Sequence, residues 1–353
     1  MTTEESTAGW DAIEEAVTKL YGEQEPKHYV NSLPYILGGQ DPLDGLSAYK
    51  AELPSPHWHI VTFGFSELYE KESEDPEYSG YGFELTFRVA RSEEEEEPPA
   101  WALNLLQNMA RYVFNSGNVF AAGDYLDANG PICLGADTQL TALAFIPDPE
   151  LDIIPTPNGR VEFIQMVGIT EDELEAMKIW NTRGLLEAGK EEIPGYITDL
   201  SRNSILRIPV IQESVQKGID RDGSSTGFLY VDQLTWETGK SGLFSKKPSV
   251  HTLGAKQAET VQKLLRGRLL KGKELMLMSK EISVILEPSA TTGFDIDEQK
   301  VYLRLDETVV NELLLKLQPK EEEIRLSSYK HLIIQVVKTY IKDQDGNVVS
   351  TIG

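Results

Sequence analysis

Two histidines separated by one residue are the clearest candidates for chemistry in this chain of 353 residues. His57 and His59 flank Trp58, and a β-strand at this point would place both imidazoles on one face. Two imidazoles could begin a metal site, but a zinc site needs three or four ligands, and no third His or Cys lies nearby. The spacing therefore favours a structural pair, and the sequence predicts neither a metal nor a cofactor.

Other short motifs indicate chemistry more weakly. Asp343, Asp345 and Gly346 begin like a calcium loop, but the acidic residue at position 12 is absent, so a hairpin turn fits better. Cys133 has no assignable catalytic partner and is interpreted as a small buried hydrophobe. No Walker A, Gly-x-Ser-x-Gly or HExxH sequence occurs. We therefore predict that the chain is not an enzyme. The alternative is a hydrolase that uses carboxylates of an N-terminal lobe.

The composition describes an acidic chain with one cysteine. Lys and Arg number 33 against 57 Asp and Glu, and the net charge is −24. This excess of negative charge opposes phosphate contacts, which excludes general nucleic-acid binding and favours a basic protein as partner. There is no apolar run long enough for a bilayer and no secretory leader. With a single cysteine, these features predict a cytoplasmic protein that does not bind membranes.

The charge is unevenly distributed along the chain. Residues 1–222 carry 15 Lys and Arg against 40 Asp and Glu, a net charge of −25, whereas residues 223–353 carry 18 against 17, a net charge of +1. The change falls in residues 218–227, which are rich in Gly, Asp and Ser as a linker would be. We therefore expect two domains, 1–222 and 223–353.

Alternating hydrophobicity predicts strands in the first part of the chain. Residues 82–91 alternate apolar side chains with Glu84, Thr86 and Arg88, which predicts a half-buried antiparallel strand with these three polar side chains outward. The same reasoning predicts further strands at 58–65, 140–146, 161–169 and, as an edge strand because of Pro209, 204–213.

Helical spacing predicts helices between these strands. They are expected at 11–20, at 101–117 with Gly117 as the C-cap, and from Thr170 to about Glu187, opened by a capping box with Glu173. The second part of the chain shows strands at 228–236, 275–288, 301–306 and 331–341, with helices at 256–272 and 307–317. Because strands and helices do not alternate as βαβ units do, we predict an α+β fold of two lobes, each a mostly antiparallel sheet with flanking helices.

Several blocks of the sequence resemble the Suppressor of fused family. They include HWHIVTFGFSELY (57–69), GYGFELTFRVAR (80–91), MARYVFNSGNVFAAGD (109–124), PTPNGRVEFIQMVGI (155–169) and WNTRGLLE (180–187). These blocks follow the family's order along most of the chain. The resemblance implies a bilobal, non-enzymatic binding protein whose animal members clamp an extended segment of a transcription factor between the lobes as an added β-strand.

The resemblance also implies particular partner-binding residues. Tyr112 and Asp124 match positions of the N-terminal lobe that line the peptide groove. The strand of Phe228, Leu229, Tyr230 and Val231 matches the edge of the C-terminal lobe that pairs with the peptide. Tyr112 as a core residue and Asp124 as a turn residue are the alternatives.

The chain also departs from the family at the groove. Lys271 stands where the family has a groove histidine, and Lys256 or a neighbour stands where it has an acidic residue. These two changes put the same peptide ligand in question.

Two biological roles are compatible with this resemblance. The chain lacks the long polar insertion of the animal proteins, which favours a bacterial member, and bacterial relatives are associated with toxin–immunity systems. We therefore predict a protein that sequesters a protein partner, as an immunity protein that neutralises a toxin. The alternative is a negative regulator of the Hedgehog type that binds a transcription-factor peptide between the lobes. A partner site on the acidic outer surface, including residues 93–97, is a further alternative to the cleft.

Overall fold

The computed structural model describes residues 7–31, 33, 35–239, 248–342 and 347–353. The chain divides into two compact units, the first formed by Met1–Leu174 and Leu185–Gln212, and the second by Glu175–Gly184 and Glu213–Gly353. The predicted hairpin turn at Asp345 and Gly346 lies outside the described residues. Within the described residues, no helix combines the length and the apolar character needed to cross a membrane.

The first unit is built around one mixed sheet. Its strands are β1 (Lys27–Val30), β2 (Gly45–Ala51), β3 (His57–Phe63), β4 (Tyr78–Ala90), β5 (Tyr125–Asp127), β6 (Leu140–Pro147), β7 (Ile154–Thr156) and β8 (Gly159–Thr170). They lie in the order β1-β2-β3-β4-β8-β6-β5, with β7 paired to β8. Only β4 and β8 pair in parallel among these described strands; the remaining pairs are antiparallel.

The helices of this part of the chain agree only partly with the prediction. They are α1 (Ala8–Tyr21), α2 (Ala100–Ser116), α3 (Glu171–Ile179), α4 (Thr182–Ala188) and α5 (Pro209–Asp222). The helix predicted at 101–117 is confirmed as α2. It ends at Gly117, whose φ of 72° suits a residue without Cβ and whose N–H donates to the Val113 carbonyl. The single helix predicted up to Glu187 is wrong, because α3 and α4 are separate.

The edge strand predicted at 204–213 is wrong. Residues 205–207 form a single 3₁₀ turn and α5 begins at Pro209. Proline lacks an N–H, and the first position of a helix is where that N–H would have had no partner. Pro209 therefore starts a helix here instead of weakening a strand. The division between the two units falls within α5, and a domain boundary at Asp222 stays a prediction.

Helices cover both faces of the sheet. Leu106, Ala110 and Val113 of α2 pack in one core with Phe87 of β4. Ile13 and Val17 of α1 lie in a second core with Val61 and Phe63 of β3. Strands β3 and β4 are thus buried on both sides, as central strands of a covered sheet are.

The prediction that Glu84, Thr86 and Arg88 point to solvent is therefore wrong. Their exposed fractions are 0%, 0% and 1%. The alternation of β4 is real, but its polar face lies beneath α1 and the segment after β6. Burying these groups would cost several kcal/mol each unless they were hydrogen-bonded, so their partners decide whether the fold is stable.

Arg88 and Asp148 form the centre of this buried polar cluster. The Arg88 guanidinium donates to both carboxylate oxygens of Asp148, at 2.6 and 3.0 Å, and also to Glu150 and Gln165. Asp148 further accepts from the Thr86 hydroxyl at 2.6 Å. Although burial raises the pKa of Asp148, the hydrogen bonds from His59 and Arg88 hold it well below its usual range. Asp148 is therefore a carboxylate throughout the physiological range.

His59 completes the cluster as a neutral imidazole. Its Nδ1 lies 2.7 Å from the Tyr21 hydroxyl and its Nε2 lies 3.3 Å from Asp148. Burial, together with the positive charge of Arg88, lowers the pKa of His59 to about 4. His57, on the same strand face, donates from Nδ1 to the Ser55 carbonyl at 2.7 Å. Both imidazoles thus bond to protein groups, and the described residues contain no group of three or more metal-ligating side chains.

Glu84 holds the turn that follows β3. Its carboxylate accepts from the Thr62 hydroxyl at 2.6 Å, from the backbone N–H groups of Gly64 and Ser66, and from the Ser66 hydroxyl. Burial raises the pKa of Glu84 to about 7 despite these donors. The side chain connects the central strand β4 to the loop between β3 and β4.

The second unit contains two sheets and a separate pair of strands. Its strands are β9 (Phe228–Tyr230), β10 (Leu234–Glu237), β11 (Ser249–Gly254), β12 (Leu275–Met278), β13 (Ser283–Pro288), β14 (Gly293–Asp297), β15 (Lys300–Leu305), β16 (Glu322–Arg325), β17 (Leu332–Val337), β18 (Thr339–Lys342) and β19 (Val348–Ile352), and its helices include α6 (Ala255–Gly267) and α7 (Glu307–Lys316). The sheets have the orders β10-β11-β17-β16 and β14-β15-β13-β12-β9, and β18 pairs with β19. Leu264 of α6, Leu277, Leu303 and Ile334 share one core between them.

The strand pair at 275–288 and the helix at 307–317 are confirmed. The single strand predicted at 228–236 is wrong, because Val231 is buried and the chain turns there, so that β9 and β10 join different sheets. The strand predicted at 331–341 is likewise divided into β17 and β18. The α+β class with two mostly antiparallel lobes is confirmed.

We expect Arg88→Met to lower the free energy of unfolding by about 3 kcal/mol or more, because it leaves the buried Asp148 carboxylate without its counter-charge. Urea denaturation followed by circular dichroism measures this loss. Lys19→Met is the control, since Lys19 and its partner Glu15 on α1 are 71% and 73% exposed, and we expect it to leave the denaturation midpoint unchanged. Equal midpoints for the two variants would show that the buried pair does not stabilise the first unit.

Candidate partner-binding surfaces

Tyr112 lies on the solvent side of α2 in the first unit. The apolar spacing of α2 turns Leu106, Ala110 and Val113 inward, so Tyr112 is left 40% exposed. Its ring stacks on Phe120 with centroids 5.6 Å apart, which is within the usual range for aromatic pairs. Tyr112 is therefore neither a core residue nor a free one, but an aromatic face held at the surface.

Asp124 lies in an exposed turn on the same part of the first unit. Its carboxylate accepts from the Ala121 N–H at 2.8 Å, and its backbone bonds to Ala121 and to Phe145 of β6. Phe145 in turn stacks on Phe120, with centroids 4.2 Å apart and planes 12° apart. Tyr112 and Asp124 are thus connected through Phe120 and Phe145, and the structure brings these two predicted residues together on one surface.

The turn at Asp124 leads directly into β5, which is the last strand of the sheet. Gly117 ends α2 and lets residues 118–124 run back toward β6, where Gly123 and Asp124 pair with Phe145. The position of this strand at the edge of the sheet could not be seen in the sequence, since three residues are too few for a clear alternation.

In the second unit, β9 is also an edge strand. It pairs in parallel with β12 on one side and is last in the order of its sheet. Phe228 and Tyr230 are 66% and 50% exposed, and Leu229 packs on the core of the unit. Three of the four predicted residues therefore form the strand. Val231 lies beyond it with a fully buried side chain, and its N–H already donates to the Met278 carbonyl of β12 at 2.7 Å, so neither group is open to a partner.

Lys271, predicted to replace a groove histidine, lies at the end of the short helix that follows α6. It closes the 3₁₀ turn after α6, and its ammonium donates to the Asp220 carbonyl at 2.5 Å. Lys273 donates in the same way to the Asp222 carbonyl at 3.1 Å. Both carbonyls belong to the last turn of α5, where backbone oxygens have no partner within the helix. The two lysines thus stabilise the C-terminus of α5, a role that the spacing of residues did not indicate. Lys256 is an exposed residue of the first turn of α6.

Comparisons with known proteins identify the family. Residues 39–203 match the family Suppressor of fused protein (SUFU). The chain is 38% identical over 322 residues to the Suppressor of fused homolog of Homo sapiens, which covers 82% of this chain and 63% of that protein. It is 38% identical over 240 residues to the homolog of Mus musculus, with 62% and 48% covered. The chain thus spans less than two thirds of the length of these curated relatives.

Solved structures show the same fold. The crystal structure of Drosophila Suppressor of Fused superposes with a TM-score of 0.82 at 24% identity, covering 95% of this chain and 99% of that one. A chain of the Sufu–Fu complex superposes with a TM-score of 0.57 at 33% identity, covering 60% of this chain and 98% of that one. The chain is therefore a relative of the Suppressor of fused family, as its sequence predicts.

Proposed function

We propose that this chain is a non-enzymatic protein-binding module whose partner adds an extended segment to the edge of β9. The observation that carries the proposal is the difference between the two edges of one sheet. At one edge, β14 carries Asp295 and Asp297, and charges of this kind discourage strand addition. At the other edge, β9 carries the exposed aromatic rings of Phe228 and Tyr230 and no charge. Such a strand offers backbone partners for affinity and side chains for specificity.

Tyr112 and Asp124 are proposed as the contacts of the first unit with the same partner. Asp124 is exposed, so a cationic or imidazole side chain of a partner can reach its carboxylate and form a charge-assisted hydrogen bond. The ring of Tyr112 supplies an apolar face next to it. Aromatic residues held rigidly at a surface are the usual anchors of protein interfaces.

Charge supports a basic partner. Residues 1–222 carry a net charge of −25, counted from 15 Lys and Arg against 40 Asp and Glu. A field of this sign accelerates the association of a basic protein and repels nucleic acid and anionic membranes. The Sufu–Fu complex shows that a relative of this chain is found with a protein partner.

The groups that could catalyse a reaction are poorly placed for it. Cys133 is 9% exposed and burial raises the pKa of its thiol, the reverse of what a nucleophile requires. Glu84 and Asp148, whose pKa values are strongly shifted, are 0% and 7% exposed and bond to protein groups. These features favour a binding protein over the hydrolase that uses carboxylates of the first unit.

The biological role of the binding stays a prediction. A negative regulator of the Hedgehog type is supported by the names of the human and mouse relatives. An immunity protein that neutralises a toxin, from a bacterial source and in the cytoplasm, is the other candidate. A toxin gene next to the gene of this chain would favour immunity, whereas a partner that is a transcription factor would favour regulation.

Mutation can separate the role of Asp124 as a hydrogen-bond acceptor from its role as a negative charge. We expect Asp124→Ala to lower the free energy of unfolding by about 1 kcal/mol, because the Ala121 N–H loses its acceptor. Asp124→Asn keeps an oxygen in this position, so we expect it to unfold at the same urea concentration as the parent chain. Equal losses for the two variants would show that the negative charge, and not the acceptor, holds the turn.

The proposal is tested by capturing the partner and measuring its affinity. The full chain is immobilised, the partner is taken from a lysate of the native host and identified by mass spectrometry, and its Kd is measured by calorimetry. We expect the paired change Phe228→Asp and Tyr230→Asp, and separately Asp124→Arg, to weaken binding by about 2 kcal/mol or more. Ile296→Asp on β14, 45% exposed, and Asp152→Arg in the first unit are the matched controls.

The controls decide the outcome. If Ile296→Asp weakens binding as much as the changes on β9, the choice of edge is wrong. If Asp152→Arg matches Asp124→Arg, the carboxylate contributes only through long-range charge. A partner whose Kd is unaffected by every variant would place the interface elsewhere.

A further inference from the structure

We propose that β1 is a second acceptor of an added strand, and that its occupant is an extended protein segment with Lys or Arg at alternate positions. The residues involved lie in the first unit at the end of the sheet opposite β5. They are different from Tyr112, Asp124 and the residues of β9, so this inference does not depend on the function proposed above.

The outer edge of β1 is open. It pairs antiparallel with β2 only, and no described strand lies on its other side. Alternate residues of an antiparallel strand direct their N–H and C=O groups away from the partner, so half of these groups on β1 face outward. Lys27, His28 and Val30 are exposed, and Val30 is 66% exposed. The edge is therefore a template for another strand.

An acidic loop is fixed beside this edge. Glu97 accepts from the Lys27 ammonium at 2.7 Å and from the Tyr29 hydroxyl at 2.5 Å. Glu96 accepts from the Lys50 ammonium of β2 at 2.8 Å. Two of its glutamates thus hold the loop of residues 92–97 against β1 and β2.

The remaining glutamates of this region have no cationic partner. Glu93, Glu94 and Glu95 are exposed and form no ion pair within the described parts of the chain, and the same holds for Glu23 and Glu25 just before β1. Lys27 and Lys50 are already paired. Uncompensated negative charge therefore lies directly before β1, at Glu23 and Glu25, and two to four residues before Glu97, which contacts β1. This charge favours a cationic occupant.

The two faces of β1 determine the pattern of the occupant. Lys27 and Tyr29 share one face, because side chains alternate along a strand, and this face carries the loop of residues 92–97. His28 and Val30 share the other face, where the His28 ring lies 5.4 Å from the Trp10 ring. Side chains of an added strand meet their neighbours on the same face. We therefore assign cationic residues to the first face and apolar residues to the second.

A second copy of this chain fits the edge poorly. Pairing of two β1 strands would bring together two loops of residues 92–97, and the net charge of −24 already opposes self-association. Cross-strand like charges are unfavourable as well. Charge complementarity thus selects a basic segment of another protein.

The test uses a hexapeptide of alternating lysine and valine with the whole isotope-labelled chain of 353 residues. We expect it to shift the NMR signals of the amides at residues 27–30 and 93–97, with an affinity that falls about tenfold when NaCl is raised from about 50 to about 300 mM, since exposed charges are screened. A hexapeptide of alternating glutamate and valine should not bind. A lysine–valine peptide methylated at every backbone nitrogen keeps its charge but cannot pair as a strand, and should not bind either.

Protein variants separate charge from position. The combined change of Glu93, Glu94 and Glu95 to Gln should lower the affinity for the lysine–valine peptide at least tenfold. This change removes the charges that salt would otherwise screen. The control replaces three exposed glutamates of another loop, Glu70, Glu72 and Glu74, by Gln and should leave the affinity unchanged.

Four results would overturn the proposal. They are equal binding of the methylated peptide, equal effects of the two sets of Gln substitutions, shifts at residues 228–230 without shifts at 27–30, and shifts at 27–30 on dilution of the free chain. The third would leave the function proposed for β9 intact, and the fourth would show a second copy as the occupant of β1.

Discussion

The buried ion pair between Arg88 and Asp148 is the interaction on which the first unit depends. Two charges out of water are tolerated only when their remaining hydrogen-bonding groups are satisfied, and here Thr86, Glu150 and Gln165 complete the set. Because Arg88 lies on the central strand β4 and Asp148 directly follows β6, their pairing holds the segment after β6 against the face covered by α1. Because each central strand pairs with a neighbour on both sides, open backbone groups remain mainly on the strands at the two ends of the sheet.

Much of the fold could be predicted because it is local. The periodicity of α2, its glycine cap and the strand pair at 275–288 depend on residues close in sequence. The face of Arg88 could not be predicted, because an alternating strand looks the same whether α1 covers its polar side or water does. Pro209 is a similar case, since proline marks both an edge strand and the first turn of a helix.

The candidate site was predictable only in part for the same reason. The resemblance led to Tyr112 and Asp124, and the structure connects them through two stacked phenylalanine rings. The position of β9 at the edge depends on the strand order of the whole sheet, so it could not be predicted from the spacing of residues 228–231. The position of Lys271 depends on where α5 ends. The two edge strands of this sheet differ, because β14 carries carboxylates and β9 carries aromatic rings. This difference can be recognised only when the strand order is known.

The shifted pKa values of Glu84 and His59 determine how many protons these two groups bind or release when the chain folds. The pKa of Glu84 rises from 4.5 to about 7, and that of His59 falls from 6.5 to about 4. Between pH 4.5 and 6.5, the folded chain holds on Glu84 a proton that the unfolded chain has released. Over the same range it lacks on His59 a proton that the unfolded chain has bound. Folding therefore passes a proton from the imidazole to the carboxyl, so the net proton uptake of this pair is near zero and the pair itself adds little pH dependence to the stability of the sheet.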